Sequence, residues 1–128
     1  MSVPHPLTEG ALPPFLDAFY AKVRRDPELG PVFAAAIGDE DWPEHLRIIG
    51  DFWSTVLFKT GRYKGNPFSV HVDRGIRPDH FARWLGLFEE TAREHFRTAD
   101  AAGLVDRAHR IAASLKAGLF FRPGDPPP

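Results

Sequence analysis

The chain has 128 residues, 43% of them hydrophobic and 26% charged, which is enough apolar material for one buried core and excludes a disordered body. A net charge of −1, from 16 basic and 17 acidic residues, gives no whole-protein field toward nucleic acid or an anionic membrane. Cysteine is absent, which removes disulfides, thiolate catalysis and cysteine-ligated metals.

Taken in chain order, Met1 to Leu7 has no basic cap followed by an apolar run and does not read as a signal peptide. Leu12, Phe15, Leu16, Phe19, Tyr20 and Val23 recur at steps of three and four. That spacing predicts a helix over about 13–25, with Pro13 and Pro14 in the first turn, where a missing N–H is harmless. Asp26 to Gly38 is broken by two prolines and two glycines, so short helical turns are expected there. Its apolar run, Pro31 to Ile37, is far below the ~20 residues of a membrane span.

Asp41 followed by Glu44 reads as a capping box. Trp42, His45, Leu46, Ile49, Phe52, Trp53 and Val56 then form a stripe that predicts a helix over about 42–58. Gly61, Gly65 and Asn66-Pro67 mark a loop. Pro78 opens a third long pattern through Phe81, Trp84, Leu85, Phe88, Ala92 and Phe96, with Asp79 complementing the helix dipole. Asp100 reads as the cap of a fourth, whose stripe runs from Ala101 to Leu119. No strand or repeat is evident, and the fold class expected is all-α. One domain over 1–128 is expected, with a loose arm over about 1–11, a disordered tail over about 123–128, and a cytoplasmic location.

Six histidines are present. His5, His80, His95 and His109 read as surface or edge residues. His45 shares a helical face with Ile49 and Phe52, and His71 stands in the short apolar segment between Pro67 and Pro78. Either reads as a satisfied core histidine or as a ligand of a metal or cofactor. No HExxH, phosphate loop or nucleophile elbow occurs, so zinc hydrolysis and nucleotide chemistry have no support. Together, His45, His71, Tyr20, Trp84 and the aromatic stripes suit a flat macrocycle held between helices.

The ordered series Phe19-Tyr20-Ala-Lys-Val-Arg24, Leu29-Gly-Pro-Val-Phe33, Ala36-Ile-Gly38, Trp42-Pro-Glu-His45, Ile49-Gly-Asp-Phe52-Trp53, His71-Val-Asp and Trp84-Leu-Gly-Leu-Phe88-Glu-Glu90 resembles the truncated haemoglobins of group III. The glycine pairs of groups I and II are missing. The resemblance implies a two-over-two helical sandwich around haem b. It makes His71 the proximal iron ligand, and Tyr20, His45 and Trp84 the distal ligand-binding residues, with His45 a candidate sixth ligand. Phe33 matches the residue packed on the haem face, and Ile49 lies in the distal wall. Phe52, Phe68, Ile76 and Phe81 are pocket-lining candidates, and Arg47, Lys64 and Arg74 are candidate propionate partners.

The implied ligands are O2, NO, CO or peroxide, with an unidentified reductase and neither nucleic acid nor membrane as partner. Two distal donors favour NO or peroxide detoxification, or sensing, over oxygen transport in bulk. The competing reading is a haem-free helical interaction module with His71 merely buried.

Overall fold

The computed structural model describes residues 5–67, 71 and 75–120. Five α-helices are present among them: α1 (Leu12–Arg25), α2 (Leu29–Ala36), α3 (Trp42–Phe58), α4 (Pro78–His95) and α5 (Thr98–Phe120). Short 3-10 turns at Glu9–Ala11 and Asp39–Asp41 lead into α1 and α3. Helix α1 packs on α2, α3 and α4, and α4 packs on α5. The pairs α1/α3 and α4/α5 give the expected two-over-two arrangement.

The core follows from the stripes. Phe15, Phe19 and Val23 of α1 and Phe88 and Ala92 of α4 lose all solvent contact, joined by Leu104 and Ala108 of α5. Phe15 and Phe19 meet the Phe88 ring edge-on at 5.2 and 5.1 Å, a geometry the aromatic quadrupole favours. Trp53 brings α3 onto the same cluster, 5.3 Å from Phe88.

Helix ends depart from the sequence expectations where another partner competes. Asp41 stands at the start of α3, but its side chain makes no cap bond, and Glu44 turns instead to Arg47 (2.6 Å). Helix α5 starts at Thr98, ahead of Asp100. The Asp100 carboxylate accepts the Leu7 N–H at 3.0 Å. The described part of the N-terminal arm is therefore anchored rather than loose. His5 N–H donates to the His95 carbonyl at 2.9 Å and Arg97 N–H returns to the His5 carbonyl at 3.2 Å, which ties the arm to the α4/α5 corner.

Asp26 is the turn-forming residue between α1 and α2. Its Oδ2 accepts the N–H groups of Glu28 (3.0 Å) and Leu29 (2.9 Å), two of the donors a helix start leaves unpaired. Gly30 is required beside it, because a Cβ there would stand 2.7 Å from the Arg24 carbonyl. This tight corner swings α2 back over the end of α1 and carries Phe33 toward Tyr20. At the far end, Lys59 in the left-handed region (φ 57°) closes α3, its N–H bonded to the Thr55 carbonyl.

Candidate functional site

Tyr20 is the buried centre of the site, 6% exposed. Its ring lies 4.7 Å from Phe19, 5.8 Å from Trp42 and 6.0 Å from Phe33. Burial pushes its phenol up to about 12, because an anion there would be poorly solvated. The neighbouring Trp84 indole, a donor only, acts the opposite way. Trp84 is held by α4, stacked on Phe88 at 5.0 Å and edge-on to Phe19 at 5.2 Å.

Helix α3 supplies His45, half-buried and edge-on to Trp42 at 5.5 Å. Burial lowers its proton affinity, and the charge of a protonated His71 lowers it further. The two residues, 26 positions apart in sequence, are thus brought close enough for His45 to sense His71. His71 Nδ1 is hydrogen-bonded to the Pro67 carbonyl. A carbonyl accepts only, so Nδ1 carries the proton and Nε2 keeps its lone pair in the neutral ring. This is the tautomer an Nε2 metal ligand needs, with its orienting bond already made.

The remaining expected wall residues share one property. Phe33, Ile49, Phe52, Ile76, Phe81 and Trp84 are all only partly buried, while the neighbouring core is sealed. Ile76 and Phe81 stand outside the main hydrophobic cluster. Phe81 meets Phe120 at 6.2 Å. Phe68 and Arg74 lie outside the described residues. Of the proposed propionate partners, Arg47 is already engaged by Glu44 and by Asp51 (2.9 Å), and Lys64 is exposed. Among the described residues no cluster of three or more His, Asp or Glu forms a metal cage of its own. A single histidine ligand plus apolar walls suits a macrocycle that brings its own equatorial donors.

Two corrections follow from the geometry. His80, expected at the surface or an edge, is 6% exposed. Its Nδ1 accepts the Arg77 N–H at 2.9 Å, closing the first turn of α4. Trp42, read as part of a stripe and of the motif ending in His45 but given no site role, touches Tyr20, Phe33 and His45 together and is capped by the Arg24 guanidinium at 4.7 Å. Its position three residues before His45, on the same helical face, is the signal that marked it.

A curated protein of Campylobacter jejuni named group 3 truncated hemoglobin ctb is 36% identical over 117 residues, covering 89% of this chain and 92% of that protein. The chain belongs to the group III truncated haemoglobins. The crystal structure of a group III truncated haemoglobin from Campylobacter jejuni superposes with a TM-score of 0.87 at 34% identity, over 98% of this chain and 100% of that one. A scan against protein-family profiles returns no match. The two-over-two truncated-globin fold read from the sequence is therefore this chain's fold. Among the described residues no helix is long and apolar enough to cross a membrane.

Proposed function

We propose that this truncated haemoglobin holds haem b through His71 Nε2 and binds diatomic gases on the opposite face. The observation that carries the reading is the His71–Pro67 hydrogen bond, which leaves Nε2 as the free nitrogen of the ring whose charge His45 senses. The partly buried walls formed by Phe33, Ile49, Phe52, Ile76, Phe81 and Trp84 fit a flat apolar group. With no cysteine in the chain, thioether attachment has no anchor, which favours the b type. Haem supplies a redox-active iron with a position open to O2, NO, CO or peroxide.

The chain's own contribution is the distal donor set. Tyr20 and the neighbouring Trp84 offer an O–H and an N–H donor to a polarised ligand. A hydrogen bond to a charged group contributes about 1.5–3 kcal/mol, so Tyr20 slows ligand release by roughly ten- to a hundredfold. Retention of that kind opposes bulk transport. It favours sensing or a redox turnover such as NO dioxygenation or peroxide reduction, with a reductase as electron source. His45, less readily protonated than a free imidazole, stands as the second distal group and the candidate sixth ligand.

The test is the absorption spectrum of the purified protein, ferric and then ferrous with CO, beside His71→Ala. A haem band that shifts with CO and collapses in the variant is expected. A wild type that stays colourless after reconstitution with haem overturns the reading in favour of a haem-free interaction module.

A further inference from the structure

The loop that leads from α3 to Pro67 is held by polar side chains that the site itself does not use. Lys59 (φ 57°) and Gly61 (φ 73°), both in the left-handed region, turn the chain back along the end of α3. Ser54 of α3, 2% exposed, is the buried hydroxyl on which this return closes. Its O–H donates to Glu9 Oε1 at 2.9 Å, and Thr60 Oγ1 lies 2.8 Å from the same hydroxyl oxygen. Ser54 has a single proton and gives it to Glu9, so Thr60 is the donor of the second bond. The relay from Thr60 through Ser54 therefore ends on a carboxylate, the stronger kind of acceptor. The same Glu9 oxygen takes the Arg62 Nε at 2.7 Å.

Thr55 holds the next part of the loop. Its hydroxyl donates to the Asp51 carbonyl at 2.9 Å and accepts the Tyr63 N–H at 3.0 Å. The Tyr63 ring then stands edge-on to Phe52 at 5.3 Å. Gly65 is needed against it, because a Cβ there would lie 2.7 Å from the Tyr63 hydroxyl. Positions 60, 62, 63 and 65 are thus each engaged just ahead of Pro67, whose carbonyl accepts the His71 Nδ1 proton.

Glu9 belongs to neither α3 nor the loop. It stands in the 3-10 turn ahead of α1. Its pair with Arg62, between two side chains about half exposed, contributes little by itself. The buried Ser54 hydroxyl is different, since removing its acceptor leaves a desolvated donor unpaired.

We propose that Glu9 is a positioning residue for His71. By joining Ser54, Thr60 and Arg62 it fixes the loop over 59–67, and with it the carbonyl that orients the imidazole. The inference rests on the haem reading above, and Glu9 acts through the loop rather than on the iron. The competing role is a tether of the N-terminal arm alone, like the Leu7–Asp100 contact.

The experiment compares wild type, Glu9→Ala and Asp100→Ala, each loaded with haem. Haem transfer to excess apomyoglobin should be about three- to tenfold faster from Glu9→Ala, less than the about 10- to 100-fold loss typical of groups bonded directly to a ligand histidine. The ferrous iron–His71 stretching band in resonance Raman should shift in the same variant. Asp100→Ala, which frees the arm at the α4/α5 corner, should change neither. Glu9→Gln, which keeps an acceptor oxygen for Ser54, should recover most of the wild-type behaviour. In the haem-free full chain, hydrogen exchange at the Tyr63 amide should be faster in Glu9→Ala and unchanged in Asp100→Ala. If Glu9→Ala loses helicity, Ser54→Ala breaks the same relay from the helix side and decides. A haem-loaded Glu9→Ala with wild-type haem loss and an unmoved band, or an equal change in Asp100→Ala, overturns the inference and leaves the haem reading standing. A wild type that takes up no haem overturns both, and is told apart by its missing absorption band.

Discussion

Asp26 joins three elements through one oxygen, and that makes its charge measurable. Oδ2 accepts the Glu28 and Leu29 N–H groups at the start of α2 and the Arg83 Nε of α4 at 2.6 Å. The Arg83 guanidinium, helped by the two backbone donors, holds its carboxyl at about 2 instead of the ordinary 3.8. A folded value below the unfolded one stabilises the protein above the unfolded value, and the gain disappears as pH falls through the folded one. The full shift corresponds to about 2.5 kcal/mol. Arg83 is 40% exposed while the Asp26 side chain is 7% exposed, so solvent screening reduces the expected contribution to about 1–2 kcal/mol. Asp26→Asn keeps an acceptor oxygen for the backbone and loses only the charge. Urea unfolding of both proteins should show a stability gap of about 1–2 kcal/mol at pH 6–7, with about half of it gone near pH 3. A gap that is the same at pH 7 and pH 3 would show that the charge on Asp26 does not stabilise this corner, and the argument from Arg83 would fail.

Gly30→Ala should cost about 1–3 kcal/mol in a thermal or urea melt, because the added Cβ would meet the Arg24 carbonyl at 2.7 Å. Phe88→Ala, at a residue with no solvent contact, should cost about 3–5 kcal/mol, whereas Phe58→Ala, at a 40% exposed residue, should cost far less. In an alkaline ultraviolet titration of the chain's two tyrosines, Tyr20 should ionise near 12, and Tyr20→Phe should remove that late step. Stopped-flow O2 release from the haem-loaded protein should be roughly ten- to a hundredfold faster in Tyr20→Phe. Release as slow as in wild type would refute the donor role.

What the sequence made legible was local. Helix α3 could be placed over 42–58 because its apolar residues repeat within three and four positions, and α1 and α4 likewise. His45 and His71 stood out for the same reason, as polar groups among apolar neighbours. The largest losses were long-range. The Asp26–Arg83 pair spans 57 positions, and Leu7 finds Asp100 across 93. No periodicity reports such a partner, and each diverts a side chain that local rules assign elsewhere. Asp100 takes a distant N–H in place of a cap, and Glu44 prefers Arg47 to closing its helix. His80 looked peripheral because it lies near a helix end, yet that end is folded inward and the ring is used to close it.

The helices also divide by how fully they are sealed, and that division bears on function. Phe15, Phe19 and Phe88 form a closed block between α1 and α4, and Tyr20 and Trp84 extend from it. Donors fixed to such a block need little reorganisation when a ligand arrives. The α3 face carrying His45, Ile49 and Phe52 is left partly open, as are Phe33, Ile76 and Phe81. Apolar area of that kind stabilises the fold only once something covers it. On the proposed function haem is the covering group, and a ligand that binds the folded state raises its stability by mass action. The haem-free chain should therefore melt well below the loaded one. Its residual protection from hydrogen exchange should be concentrated in α1 and α4, because their packing does not depend on the pocket. Equal melting temperatures with and without haem would mean that these open faces are already satisfied, and the assignment of the pocket to them would have to be abandoned.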